Sequence, residues 1–141
     1  MNELHFFLID DDEIFQFIMK NTIAEVNPDI KIQFFSDGEK GIDFLKQNLG
    51  AANNLPDIIL LDVNMPFMDG WEFLSEYKSF QTDLKKDINI YLLTSSNNPQ
   101  DIAKAQEIST LSGYLVKPIS KDGIKNLISH FPTTEWFQNQ L

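Results

Sequence analysis

Five side chains in this sequence stand where an apolar run stops: Asp10 and Asp11 after Leu4 to Ile9, Asp62 after Ile58 to Leu61, Thr94 after Ile88 to Leu93, and Lys117 after Gly113 to Val116. Taken singly, each has a plain explanation, since an Asp after a strand is often a turn former and a Lys there a solvated charge. Together they suggest chemistry. Three carboxylates brought close repel one another, and a hard divalent cation among them removes the conflict. Mg²⁺ fits, because it takes one or two carboxylates, waters and a substrate phosphate. A carboxylate such as Asp62 can also attack phosphorus and form an acyl phosphate. The transferring phosphoryl spreads its charge over three oxygens, which calls for a cation, an ammonium and a hydroxyl or amide donor around it. Mg²⁺, Lys117 and Thr94 would supply these.

The elements that must position such a group are legible from periodicity. Asp57 to Asp62 contains four consecutive apolar residues with no polar alternation, the pattern of a central parallel strand buried on both faces. Leu4 to Ile9, Ile30 to Phe35, Ile88 to Leu93 and Gly113 to Val116 read as four further strands. Helices are expected between and after them. Phe15, Ile18, Met19, Ile23 and Val26 recur at helical spacing behind an N-cap at Asp12, which explains that Asp better than a ligand role does, and Asn27-Pro28 closes the helix. Ser36 to Glu39 fits a capping box opening a helix through Ile42, Leu45 and Leu49. Asp69-Gly70-Trp71-Glu72 opens another through Leu74 and Tyr77. Gln81 to Asp87 reads as a solvated link. Asn98-Pro99 starts a helix through Ile102, Ala105 and Ile108, and Ser120 one through Ile124, Leu127, Ile128 and Phe131.

Five strands alternating with five helices imply an α/β fold with a parallel sheet covered on both faces and right-handed crossovers. By analogy, the flavodoxin-like doubly wound order 2-1-3-4-5 would put the switch point between the first and third strands and gather Asp10, Asp11 and Asp62 in one crevice.

The 141 residues fit one domain, expected over 1–132, with a tail over 133–141 and no output domain. With no cysteine, disulfides, thiolate metal sites and cysteine nucleophiles are excluded. A formal net charge of −10 argues against direct nucleic acid binding, which needs a basic footprint. No run approaches a membrane span and the N-terminus lacks a secretory pattern, so a cytoplasmic protein is expected.

Ile9-Asp10-Asp11, Leu61-Asp62-Val63-Asn64-Met65-Pro66 with Asp69-Gly70, Leu93-Thr94-Ser95, and Tyr114-Leu115-Val116-Lys117-Pro118 fall in this order along nearly the whole chain. In these motifs the sequence resembles the chemotaxis-type receiver domains of two-component response regulators. The resemblance implies that Asp62 accepts a phosphoryl group from a histidine kinase or a histidine phosphotransfer protein. It implies Mg²⁺ held by Asp11 directly, by Asp10 mainly through water, by Asp62, and by the backbone carbonyl of Asn64. Thr94 and Lys117 would act on the phosphoryl group, Thr94 and Tyr114 would form the switch, and the Lys117-Pro118 bond would be cis. The output would be phosphorylation-dependent binding to an unknown protein target, or onward phosphorelay, by a monomer or weak dimer.

Two alternatives stand beside this reading. A haloacid-dehalogenase-type phosphohydrolase also uses a nucleophilic Asp after a strand, but wants a second acid where Asn64 stands. A receiver-like module that is never phosphorylated would not need the full acid, hydroxyl and lysine set. Ser95-Ser96-Asn97-Asn98 replaces the small-residue turn common after the family's Thr, and Ser96 and Asn64 are expected to tune the lifetime of the phosphorylated state. His5 and His130 read as surface or edge residues, Trp71 and the phenylalanines as core or helix-packing groups. The tail, with Trp136 and Phe137, is expected to pad the last helix rather than act as a contact segment.

Overall fold

The computed structural model describes residues 3–95, 97–133 and 135–139. β1 (His5–Ile9), β2 (Lys31–Phe35), β3 (Ile58–Asp62), β4 (Asn89–Thr94), β5 (Leu111–Val116) and β6 (Phe137–Gln138) form one parallel sheet in the order β2-β1-β3-β4-β5-β6. Because successive strand residues point to opposite faces, each apolar run feeds two cores. Phe7, Ile9, Ile59, Leu61, Leu92 and Tyr114 face α2 (Gly38–Gln47), α3 (Gly70–Phe80) and α4 (Pro99–Gln106). Phe6, Leu8, Ile58, Leu60, Leu93 and Leu115 face α1 (Glu13–Val26) and α5 (Lys121–Ser129). Burial on both sides is why β1 and β3 read as unbroken apolar runs.

The expected flavodoxin-like order is present, with one strand more than expected. The tail does not simply pad the last helix: Phe137 and Gln138 pair with Gly113 and Tyr114 on the free edge of β5. Trp136 then packs toward the α2–α3–α4 core and Phe137 toward the α1–α5 core. A two-residue strand is too short to show a period of two, so its signal lies in the partner it finds.

Local chemistry explains most boundaries. Asp12 caps α1 by accepting the N–H groups of Ile14 and Phe15, and Asp69 and Glu72 form a reciprocal capping box at α3. At α2 the capping residue is Asp37, which accepts the Lys40 N–H, rather than Ser36, and Leu49 lies beyond the helix end. The link after α3 begins with a short 3₁₀ turn, Gln81–Asp83.

Three burial expectations are corrected. His5 is not a surface or edge residue, because β1 lies inside the sheet and the side chain is buried beside Asp57. Phe17 and Phe67 are not core groups but 65% and 88% exposed. Ile18, expected on the apolar stripe of α1, turns outward with Ile14 and Phe17. Among the described residues no helix is long and apolar enough to cross a membrane.

Candidate functional site at the carboxyl edge of the sheet

Register brings the strand ends together. Ile9 pairs with Leu61, Asp62 with Leu93, and Thr94 with Val116, so the residues that follow each pairing project into one crevice. Backbone bonds continue the ladder just past the strands: Asp10 N–H donates to Phe35 O at 3.0 Å, Val63 N–H to Leu93 O at 3.0 Å, and Lys117 N–H to Thr94 O at 2.7 Å.

Asp10, Asp11 and Asp62 each present a carboxylate oxygen within 4.8 Å of the others. Asp10 is fully buried and Asp62 is 5% exposed, whereas Asp11 faces solvent. Asp10 is held from several sides. Its Oδ1 accepts the Asp12 N–H at 2.8 Å, and its main-chain carbonyl accepts Gln16 Nε2 at 2.7 Å. Lys117 Nζ donates to its Oδ2 at 2.7 Å and stands 3.4 Å from Asp62 Oδ1. The ammonium also lies over the Phe15 ring, 4.4 Å from its centroid, so an apolar wall backs the charge it presents to the acids.

Asp62 is the strained member of the group. Burial and the neighbouring Asp10 push its pKa up to about 6, against the opposing pull of Lys117 and the Asn64 N–H. That N–H donates to Asp62 Oδ1 at 3.3 Å. At neutral pH Asp62 is still mostly a carboxylate, held at some energetic cost. Three carboxylates against one ammonium leave about two negative charges uncompensated, and all the donors are hard oxygens. Both properties fit a divalent ion of the Mg²⁺ class.

Other site residues fall around this group. Thr94 is buried, and its hydroxyl is hydrogen-bonded to the buried Tyr114, whose own pKa burial raises. Asn64 is exposed in the loop after β3, the Lys117–Pro118 bond is cis, and Ser96 lies outside the described residues. The β3–α3 loop must turn sharply. Gly70 N–H donates to Val63 O at 2.9 Å. A Cβ on Gly70 would sit 2.8 Å from the Asp62 carbonyl oxygen, so only glycine lets α3 start this close to the acid. Phe67, at φ 68°, is the centre of a three-residue turn closed by Met68 N–H on Pro66 O. Two contributors escape sequence reasoning. Phe15 reads there only as a core residue, and the tail residue Asn139, which bonds Val116 beside Lys117, carries no motif at all.

The family model for the response regulator receiver domain matches residues 6–129. The chain is 32% identical to the response regulator Rcp1 of Synechocystis over 78% of its own length and 74% of Rcp1. The solved Mn²⁺-bound form of Rcp1 superposes with a TM-score of 0.70 at 30% identity, covering 91% of this chain and 93% of that one. A two-component response regulator from Cytophaga hutchinsonii is similar at 32% identity with a TM-score of 0.80, covering 91% and 96% of the two chains. The sensor histidine kinase CheAY of Helicobacter pylori also aligns, at 27% identity over 85% of this chain and 14% of that protein. With one family model spanning both cores and all four strand-end motifs, and with solved relatives that share the fold, this chain belongs to the response regulator receiver domain family.

Proposed function

We propose that this receiver accepts a phosphoryl group on Asp62, in an Mg²⁺-dependent reaction, from the phosphohistidine of a histidine kinase or histidine phosphotransfer protein in the cytoplasm. The observation that carries this reading is the excess of negative charge, two buried carboxylates and one at the surface, around a group that has one lysine beside it. A fold needing only stability would neutralise that excess, and a phosphoacceptor site uses it to recruit a cation. Asp11, Asp10, Asp62 and the Asn64 carbonyl would hold the ion, which when bound neutralises charge on the phosphoryl oxygens. The Mn²⁺-bound form of the relative Rcp1 supports a divalent site in this family.

The chain's own groups supply the rest. The Asn64 N–H orients the Asp62 carboxylate, leaving the other oxygen to attack phosphorus as the P–N bond to the donor histidine breaks. Lys117, already within 3.4 Å of Asp62, meets the charge on the transferred group. Thr94 follows Leu93, the register partner of Asp62, and its hydroxyl is bonded to Tyr114. If Thr94 turns toward the phosphoryl, its bond to Tyr114 changes, and that biases a two-state surface around β5 toward binding a protein target or a relay partner. The protein is thus a phosphoacceptor switch rather than a turnover enzyme. Asn64, where a dehalogenase-type hydrolase wants its second acid, supports this over hydrolysis.

Incubation with Mg²⁺ and acetyl phosphate is expected to give one acid-stable, base-labile adduct, mapped to Asp62 by mass spectrometry and abolished by chelation. An unlabelled wild-type protein, or release of many equivalents of phosphate, overturns the proposal.

A further inference from the structure

The segment 135–139 lies beyond the stretch matched by the family model, and family membership does not explain its contacts. It reaches the phosphoacceptor site through one peptide. Val116 is the last residue of β5, and its N–H donates to Asn139 Oδ1 at 2.8 Å. Its carbonyl accepts Asn139 Nδ2 at 3.0 Å. The carbonyl of Val116 and the N–H of Lys117 belong to the same peptide plane, and that N–H donates to Thr94 O at 2.7 Å. The plane immediately before Lys117 is therefore gripped from both edges, by β4 on one side and by the tail on the other. Because a peptide is planar, fixing both edges sets where N and Cα of Lys117 stand, and so the point from which its side chain leaves the chain.

The tail is seated to deliver this grip. Phe137 packs edge-on against Tyr91 with centroids 5.9 Å apart and lies 5.2 Å from the His130 ring. The Thr133 carbonyl accepts Asn89 Nδ2 at 3.2 Å. A Cβ at Gly113 would collide with the Phe137 carbonyl oxygen, so the β5 edge carries a glycine where the tail comes closest.

We propose that Asn139 is a positioning residue for phosphoryl transfer, acting through the Val116–Lys117 peptide to aim the Lys117 ammonium at Asp62. The inference rests on the acceptor role proposed above. Lys117 meets the phosphoryl group and is not a metal ligand, so Asn139 influences the transfer rate and leaves Mg²⁺ affinity alone.

The test uses the full chain with Mg²⁺ and acetyl phosphate. Asn139→Ala is expected to slow labelling at saturating donor by about fivefold, the worth of an ordinary hydrogen bond. The Mg²⁺ dissociation constant, followed by tryptophan fluorescence, is expected to stay within about twofold. Asn139→Asp keeps an acceptor for the Val116 N–H, and so the tail's anchor, but offers no donor to the carbonyl; it should be as slow as the Ala variant. In a Lys117→Ala background, Asn139→Ala should cause no further loss, because the group it aims is gone. Wild-type rates in both single variants, a matching loss of Mg²⁺ affinity, or full additivity with Lys117→Ala each overturn the inference. Absence of labelling in the wild type would instead strike the acceptor role itself.

Discussion

The two ends of β3 carry the same pair of residue types and use them oppositely. At the amino end, Asp57 accepts the His5 N–H at 2.9 Å and pairs with Lys86 at 3.1 Å, while Lys86 also donates to Leu55 O at 2.9 Å. Main-chain bonds from Asp57 N–H to His5 O and from Asn89 N–H to Asp57 O stitch the same corner across β1, β3 and β4. One acid meets one lysine there, and the charges balance. At the carboxyl end, Lys117 faces Asp10 and Asp62 together with Asp11 nearby, and Asp62 is driven up to about 6. The balanced corner holds the sheet together, and the unbalanced one keeps an unmet demand for a cation and a phosphoryl group. Charge balance, more than residue type, separates a staple from a site.

The largest expected effect comes from removing the unbalanced charge. Asp62→Asn should abolish labelling and at the same time stabilise the fold by ~3 kcal/mol near pH 7, because a carboxyl with a raised folded pKa disfavours folding while ionised. The sign fixes the pH window. The native state binds a proton more readily than the unfolded chain between the ordinary value of 3.8 and about 6, so the difference between variant and wild type should shrink as pH falls through 6 and vanish below about 4. Urea unfolding of both proteins from about pH 4 to 8 checks this, and a pH-independent difference would remove the electrostatic account.

Lys117→Ala acts in the other direction. It leaves the fully buried Asp10 without its cation and should destabilise by about 3 kcal/mol, with labelling slowed at least about a hundredfold. Thermal unfolding and the acetyl phosphate assay report the two losses separately. At the balanced end, Asp57→Asn should cost about 2 kcal/mol by weakening the pair with Lys86, yet leave labelling within about twofold. A large loss of labelling there would mean that the two ends are not independent. The smallest effect is expected at Phe67, whose exposed ring and left-handed backbone sit in the site loop. Phe67→Gly should stabilise by about 1 kcal/mol, measured by denaturant midpoint, and a loss of stability would show that the ring has a packing role.

Legibility follows locality. The runs at β1 and β3, the caps at Asp12, Asp69, Asn98 and Ser120, and the abrupt polar endings of the strands each depend on a few adjacent residues, and all are readable from them. Asp37 displaces Ser36 as the cap of α2 because both residue types can serve and only backbone geometry chooses between them. His5 misleads because its polar ring argues for the surface, although it falls within the Leu4 to Ile9 run, and the interior position of that strand overrides residue type.

What the chain determined by itself was the set of chemical groups and their placement at strand ends, because an apolar run bounded by an acid is a property of consecutive residues. Tertiary structure alone decided that Asp10 would be buried and Asp11 exposed, that Phe15 would back Lys117, and that a tail without any motif would close the β5 edge with Asn139 gripping the peptide before that lysine. These outcomes depend on partners far away in the chain or on a single unpaired edge. Desolvation and long-range pairing become defined only once the sheet has assembled.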